Sequence, residues 1–242
     1  MSRLAKSYEK AIKKELTAHA AWFPITNTFK VGDYGFFEGG VFRSIGNIKD
    51  KYPNIDLRVA QGPGAKVNFS SEGTRTFKFD AAGNVVGSFA QLGDAEAALK
   101  FEFTKQNSVV LKADEITLEQ LQNIEEVAAF LASKDTWKRK YKVISHAYTG
   151  ENCIVICARE SGSEFTINAK ADILSDIEVG KANAGFETSS SNSSTYDSIG
   201  ETGIIALRFF KLNWLGNIKI LADQVNKVSI VDTFEDELED DF

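Results

Sequence analysis

Two long stretches of the sequence alternate apolar and polar residues with a period of two, over residues 65–113 and 163–188. In the first stretch, Leu99, Phe101 and Phe103 are separated by charged residues. Successive side chains of a strand point to opposite faces, so this period places the apolar residues on one face. Both stretches therefore predict antiparallel strands with one buried face and one face in water.

The second stretch is the more regular of the two. Residues 163–173 predict one strand, and a turn near Gly180 returns the chain in the same alternation through Phe186. Residues 189–195 are almost entirely serine and asparagine, which predicts a loop. Residues 203–222 are strongly apolar and predict buried strand.

Two other segments have helical spacing. Residues 2–21 predict an amphipathic helix that ends before Pro24, because the residue before a proline disfavours the helical region. Its apolar stripe consists of Leu4, Tyr8, Ile12, Leu16 and Ala20. The capping-box pattern at Thr117–Gln120 predicts a central helix that reaches about Ser133. After it, two strands divided at Thr149–Gly150 are expected.

These elements predict an α+β fold, a twisted antiparallel or mixed sheet with an N-terminal amphipathic helix and a central helix. We expect one domain over residues 1–226, followed by an acidic tail over residues 227–242. The tail holds seven acidic residues between 232 and 242 and no basic residue in that interval. Such a composition predicts disorder or an inhibitory segment.

The charge is unevenly distributed along the chain. The net charge is −6, yet the first 21 residues carry five basic residues against two acidic ones. The sequence pI of about 5.2 and the lack of a nucleic-acid motif argue against a nucleic-acid partner. No apolar run is long enough to span a bilayer as a helix, and no secretory signal is recognisable. With only two cysteines, the sequence predicts a cytoplasmic protein.

The residue types that carry catalysis are sparse, and no cofactor or metal site is predicted. Cys153 and Cys157 lie in a β-branched run, where they predict small buried side chains rather than a disulfide. Ser145 and His146 are neighbours on a predicted strand and are expected to face opposite sides, out of mutual reach. We therefore predict that the protein is not an enzyme. A hydrolase site assembled from carboxylates distant in sequence stays open.

The order of these elements resembles the pore-forming domain of gasdermins. The resemblance covers roughly residues 1–170 and is carried by the basic helix from Met1 to Thr17, the strand over 104–113, the helix from Leu118 to Ser133, the basic stretch Trp137–Lys142 and the strands that lead into Phe165–Asn168. Without a large C-terminal repressor domain, only the short-tailed microbial type of the family is similar to this chain. The acylatable N-terminal cysteine of bacterial members has no counterpart here.

The resemblance implies a latent protein that moves from the cytoplasm to acidic membranes, forms homo-oligomers and opens a pore through two amphipathic hairpins per subunit. The residues that it implies for lipid headgroups are Lys6, Lys10, Lys13, Lys14, Lys138, Arg139 and Lys140. The apolar hairpin residues that it implies are Leu99, Phe101, Phe103, Phe165, Ile167 and Phe186. The basic stretch with its aromatic residues is also compatible with nucleic acid.

One alternative function rests on the tail. An acidic segment that ends in Phe242 can dock into a basic groove of a partner protein, which would make the chain a non-enzymatic interaction or adaptor module.

Overall fold

The structure, a computed structural model, describes residues 3–179, 185–191, 195–213 and 218–221. The α+β prediction is confirmed. The described strands are β1 (His19–Ala20), β2 (Asp33–Glu38), β3 (Val41–Asn47), β4 (Val59–Ser70), β5 (Thr74–Asp80), β6 (Glu96–Phe103), β7 (Ser108–Leu121), β8 (Lys142–Ala158), β9 (Ser163–Lys170), β10 (Phe186–Ser190), β11 (Thr195–Leu212) and β12 (Ile218–Leu221). The described helices are α1 (Arg3–Leu16), α2 (Ile48–Lys51), α3 (Ile124–Ala132) and α4 (Ala171–Glu178), with a short 3-10 helix at Phe89–Gln91.

The strands form two sheets. In the larger sheet, β11, β8, β7 and β4 lie side by side. Strand β2 pairs with the first residues of β8, β3 pairs with β2, and β1 and β12 pair with β11. The smaller sheet has the order β10-β9-β6-β5. Every strand pair is antiparallel, as the period-two pattern predicts.

The larger sheet is covered on both faces along β7 and β8. Helix α1 packs on one face, against a cluster that includes Val109 and Val155. The smaller sheet and α4 pack on the other face, where Val110, Ile154 and Ile156 belong to the same cluster as the apolar face of the hairpins. Burial on both sides explains the continuous apolar run of β8, because each face of the strand must be dry.

A third cluster lies at the other end of the larger sheet. It joins α3, the segment between α3 and β8, and strands β2 and β3. Tyr34, Trp137 and Tyr141 meet there, with neighbouring ring centroids 5.2–5.3 Å apart. This cluster stabilises the end of the larger sheet that is not packed against the smaller sheet.

Both predicted helices are shorter than the sequence indicates. α1 ends at Leu16 because Thr17 adopts a positive φ of 50° and His19–Ala20 pairs with β11 instead. The capping-box prediction at Thr117–Gln120 is wrong, since those residues lie in β7, opposite β8. Strand pairing over fourteen residues outweighs a local capping preference. The central helix begins at Ile124.

Three strand boundaries also differ from the predictions. β8 is one strand of 17 residues and is not divided at Thr149–Gly150. β9 ends at Lys170, and the last predicted strand residues begin α4. Part of the predicted serine loop is strand, because Ser189 and Ser190 pair with β9. Gly180 and residues 227–242 lie outside the described part of the chain.

The predicted run over 203–222 contains two strands rather than one. β11 extends from Thr195 to Leu212, and β12 forms the second strand. The prediction of buried strand holds for Ile204 to Leu207, which are all less than a tenth exposed.

Candidate functional site

The two sheets have matching strand order. The central strands of the larger sheet run β11-β8-β7-β4, and the smaller sheet runs β10-β9-β6-β5. Each strand of the smaller sheet is joined directly in the chain to the strand at the same place in the larger sheet: β5 to β4, β6 to β7, β9 to β8 and β10 to β11. The smaller sheet is therefore the continuation of the four central strands, folded back onto their own face.

The connections that fold the chain back lie side by side. The described ones are Ser71–Gly73, Thr104–Asn107 and Arg159–Gly162. Neighbouring connections are bonded to each other: the NH of Thr104 donates to the carbonyl of Gly73 over 2.8 Å, and the NH of Asn107 donates to that of Arg159 over 3.3 Å. Each of the three contains a residue with positive φ: Gly73, Asn107 and Gly162. We call this row of connections the fold line.

The predicted hairpin residues come together on the inner face of the smaller sheet. Leu99, Phe101, Phe103, Phe165 and Ile167 are at most 1% exposed, and Phe186 packs beside them while half-buried. They face Val110, Ile154, Ile156 and Ala158 of the larger sheet.

The outer face of the smaller sheet is polar. Lys100 of β6 pairs with Glu164 of β9 over 2.8 Å and with Glu102 over 3.2 Å. Thr166 and Asn168 lie beside them, the second exposed. Strands β6 and β9 are thus apolar on the inner face and polar or charged on the outer face, as their alternation predicts.

Strand β5 departs from this arrangement. Phe77 lies opposite Lys100 and Phe79 opposite Ala98, so both rings point to the outer face, with centroids 6.4 Å apart. Lys78 lies opposite Leu99 and points inward instead. The alternation of β5 is therefore inverted relative to that of its partner β6.

Helix α1 lies across the larger sheet with its apolar stripe inward and with Lys6, Lys10 and Lys14 outward. Leu4, Tyr8 and Ile12 are buried, and the Tyr8 hydroxyl donates to the carbonyl of Ile205 over 3.1 Å. The Arg208 guanidinium binds the last carbonyls of the helix, 3.2 Å from that of Leu16. A cation at this position stabilises a helix C-terminus.

The lysines of α1 fall into two groups. Lys6, Lys10 and Lys14 are exposed, whereas Lys13 is partly buried and pairs with Glu9 over 3.2 Å. The Lys14 ammonium lies 5.6 Å from the ring centroid of Phe69, next to the first connection of the fold line. Three of the four predicted headgroup lysines on α1 are therefore accessible, and one lies close to the fold line.

A buried carboxylate links the middle of α1 to β1. Glu9 contacts His19 Nδ1 at 2.9 Å and accepts the NH of Ala20, while Glu9 and His19 are at most 5% exposed. Burial opposes ionisation of Glu9, but His19, Lys13 and the Ala20 NH outweigh it, so the pKa of the carboxyl is lowered. Glu9 is therefore ionised at neutral pH and ties the helix to β1.

The predicted basic stretch divides into exposed and buried residues. Lys138, Arg139 and Lys140 are exposed, and the Lys140 ammonium lies 5.3 Å from the ring centroid of Phe36. The aromatic residues Trp137 and Tyr141 belong to the core, so neither ring is presented for stacking with a base. Helix α1 packs on a different cluster from the one that contains Trp137 and Tyr141.

Sequence reasoning missed two basic residues on the fold line. Lys105 is 56% exposed along its side chain and pairs with Glu72 over 2.8 Å, and Arg159 is exposed on the third connection. Lys10 also contributes to the lowered pKa of Glu72, after the stronger effect of Lys105. Their signal is positional, since Arg159 directly follows the apolar end of β8 and Lys105 lies two residues after the apolar end of β6.

The nucleophile candidates lack an accessible site. Burial raises the pKa of the Cys153 thiol to about 12 and raises that of Cys157 as well, which confirms two buried thiols. The expectation that Ser145 and His146 are out of reach is wrong, because His146 Nδ1 lies 2.9 Å from Ser145 Oγ. However, Ser145 is fully buried, and its hydroxyl donates to the carbonyl of Arg208.

The described residues contain neither a cluster of metal ligands nor a helix that could span a membrane. No group of three or more His, Cys, Asp or Glu side chains there could hold a metal ion. None of the described helices has the length and apolar character needed to cross a membrane.

Among known proteins, the chain is distantly similar to solved gasdermin structures. No family model matches the chain, and no curated protein matches it. Among solved structures, it is similar to a bacterial gasdermin from Bradyrhizobium tropiciagri at 14% identity and a TM-score of 0.40, over 89% of this chain and 90% of that one. It is also similar to the gasdermin A3 membrane pore, solved by cryo-electron microscopy, at 8% identity and a TM-score of 0.34, over 93% of this chain and 97% of that one.

Proposed function

We propose that this protein is a latent pore former, whose folded-back smaller sheet extends beyond the larger sheet when the chain reaches an acidic membrane. The observation that supports this proposal most is the matching strand order of the two sheets. Extension needs only the connections of the fold line to straighten and the segment between β9 and β10 to become strand. The four central strands would then continue as one longer sheet.

Extension would change the surroundings of the apolar face. Leu99, Phe101 and Phe165 face the larger sheet in the folded-back form, and extension removes that cover. A continuous apolar face that contains these side chains is unfavourable in contact with water and favourable in contact with hydrocarbon. Residues 71–80 count ten and residues 96–107 count twelve, close to the roughly 9–11 residues that a strand needs to cross a bilayer.

The free edges support assembly from several copies. Strands β4 and β5 form one edge, and β10 with the first half of β11 forms the other. Because β4, β7, β8 and β11 alternate in direction, the β11 edge of one copy can pair antiparallel with the β4 edge of the next. Open edges are not tolerated in lipid, so the copies would have to close into a ring.

The exposed bases supply a contact for anionic headgroups. Lys6, Lys10 and Lys14 of α1, with Lys105 and Arg159 of the fold line, would lie near the surface that the hairpins enter. Each basic residue near an anionic leaflet contributes about 1 kcal/mol. Lys13 adds less while it is paired with Glu9. The stretch of Lys138, Arg139 and Lys140 would form a separate second contact.

The acidic tail supplies the restraint in this proposal. Residues 227–242 would hold a cytoplasmic monomer inactive until they are removed. A protease site inserted after Asn226 tests this in the folded full-length protein, with dye release from vesicles of anionic or zwitterionic lipid as the readout. We expect release from anionic vesicles after cleavage and little release before it.

Two controls make this experiment decisive. Lys10→Glu should reduce release, whereas Lys30→Glu, an equal charge change on an exposed loop, should not. Cleaved protein that keeps its circular dichroism spectrum and releases no dye at micromolar concentration would exclude the pore. If cleavage instead abolishes capture of a partner protein and leaves vesicles intact, the adaptor alternative is favoured.

A further inference from the structure

Three charged side chains meet between the two sheets. The Lys78 ammonium of β5 lies 2.5 Å from Glu178 Oε1, and that of Lys112 in β7 donates to the backbone carbonyl of Glu178 over 2.9 Å. Lys112 is only 7% exposed, and the side chain of Lys78 is 18% exposed. Burial lowers the pKa of Lys112; the Glu178 carboxylate opposes this effect and the Lys78 ammonium adds to it.

Each member of this cluster belongs to a different part of the fold. Lys78 lies on the first hairpin, β5–β6, and Glu178 ends α4, which follows β9 in the second hairpin region. Lys112 lies on β7, in the part of the larger sheet that does not change in the proposed extension. Glu178 is thus the point at which both folded-back segments and the fixed sheet are joined by polar bonds.

Neighbouring contacts tie the same two segments together. Lys78 also donates to the carbonyl of Gly87 over 3.2 Å, and its ammonium lies 5.7 Å from the ring centroid of Phe89. Phe89 is buried in the cluster that contains Leu174 and Ile177 of α4. The connection within the first hairpin therefore packs against α4.

We propose that Glu178 is a latch that adds to the β6–β9 ladder in coupling the two hairpins and links them to the larger sheet, so that neither leaves it without the other. This inference rests on the proposed function in one respect only, since it assigns the coupling to the start of hairpin extension. Opening β5 alone leaves the Glu178 carboxylate, whose side chain is 36% exposed, without Lys78, and opening α4 alone leaves Lys78 and the buried Lys112 without Glu178. Unpaired buried charges are strongly unfavourable, so the segments open together.

Hydrogen–deuterium exchange of the full-length protein in solution, without vesicles, tests the coupling. Glu178→Gln keeps the backbone carbonyl that binds Lys112 and removes the charge that binds Lys78. We expect exchange in residues 74–103 and 163–178 to accelerate by the same factor, on the order of tenfold for a hydrogen bond between charged groups. Lys78→Met should give the same pattern and serves if the first variant does not fold.

The matched control is Glu164→Gln. It removes the ion pair with Lys100, which joins the same two hairpins on the outer face, away from the larger sheet. We expect less than about twofold acceleration there, because water can replace this partly exposed pair, whereas Glu178 also lies beside the buried Lys112. Equal acceleration by both variants, or acceleration confined to α4, would overturn the latch.

The latch and the pore fail in different ways. If exchange accelerates in both segments and the cleaved wild-type protein releases no dye, the latch stands and the pore is excluded. If dye is released and Glu178→Gln leaves the exchange of β5–β6 unchanged, the pore stands and the latch is excluded.

Discussion

Replacing Glu9 by glutamine should weaken the attachment of α1 to the rest of the protein and so lower the free energy of unfolding. The carboxylate contacts His19 Nδ1 at 2.9 Å, the Lys13 ammonium at 3.2 Å and the NH of Ala20. Glutamine keeps an oxygen for the Ala20 NH but loses the negative charge between two basic groups. The substitution therefore removes the electrostatic part of the anchor and leaves its shape.

The magnitude follows from the burial of each partner. The side chains of Glu9 and His19 are 7% and 2% exposed, so their interaction is poorly screened. Lys13 is 31% exposed and can regain water, which reduces its share. We expect the free energy of unfolding to fall by about 2 kcal/mol at pH 7, within the range for hydrogen bonds to charged groups.

The pH dependence provides a second readout with a defined sign. A carboxyl whose pKa is lowered by folding stabilises the protein fully above its unfolded value, about 4.3 for glutamate, and loses that contribution as the pH falls through the lowered folded value. The difference in unfolding free energy between wild type and Glu9→Gln should therefore be constant near pH 7 and shrink below about pH 4.3.

Urea unfolding followed by tryptophan fluorescence measures both effects. Glu15→Gln is the matched control, since it makes the same change on the exposed side of the same helix and should alter stability by less than about 0.5 kcal/mol. If Glu9→Gln is as mild as the control, or if its effect is the same at pH 3.5 and pH 7, the anchor does not act through charge.

Three further substitutions or labels test the packing. Phe101→Ala, at 0% exposure between the sheets, should lower the free energy of unfolding by about 3–5 kcal/mol, whereas Thr166→Ala on the outer face should cost less than about 1 kcal/mol, both measured by urea unfolding. Gly203→Ala would place a Cβ 2.3 Å from the backbone oxygen of the loop that crosses β11 and should lower the melting temperature by several degrees, while Gly87→Ala meets open space and should leave it unchanged. The Cys153 thiol, with its pKa raised to about 12, should react with a maleimide only in urea, and rapid labelling of the native protein would contradict its burial.

The inner face of β6 and β9 could be predicted from the sequence because one physical pattern determines it. Leu99, Phe101, Phe165 and Ile167 alternate with charged or polar residues within these two strands. The fold-back could not be predicted in the same way. It depends on pairing between strands that are distant in the chain, such as Lys142 of β8 with Lys211 of β11, and alternation is the same whether a strand continues straight or turns back.

Two elements were mispredicted because local signals competed. The alternation of β9 continues formally through Ile173, yet Ala171, Leu174 and Ile177 are spaced at three residues and pack as one helical face. At Thr117–Gln120 the reverse happened, since pairing with β8 overrode a helix-start pattern. In both places tertiary burial decided between two local structures that the sequence permits.

Strand β5 is where the folded-back and extended forms make opposite demands. In the folded-back form Lys78 points inward beside Leu99 and is neutralised by Glu178. In an extended hairpin the Leu99 face would meet lipid, where a lysine costs about 2–4 kcal/mol near the bilayer centre. A shift of β5 by one residue against β6 would exchange its faces and bring Phe77 and Phe79 onto the lipid side.

The shift can be measured by cysteine cross-linking. Residue 77 lies opposite residue 100 in the folded-back form, so Phe77→Cys with Lys100→Cys should cross-link in solution. In the membrane-bound fraction that cross-link should be lost, and Phe77→Cys with Leu99→Cys should form one instead. Only a register change moves Lys78 away from the lipid side. Persistence of the 77–100 cross-link in a conducting pore would therefore show that β5 stays out of the hydrocarbon.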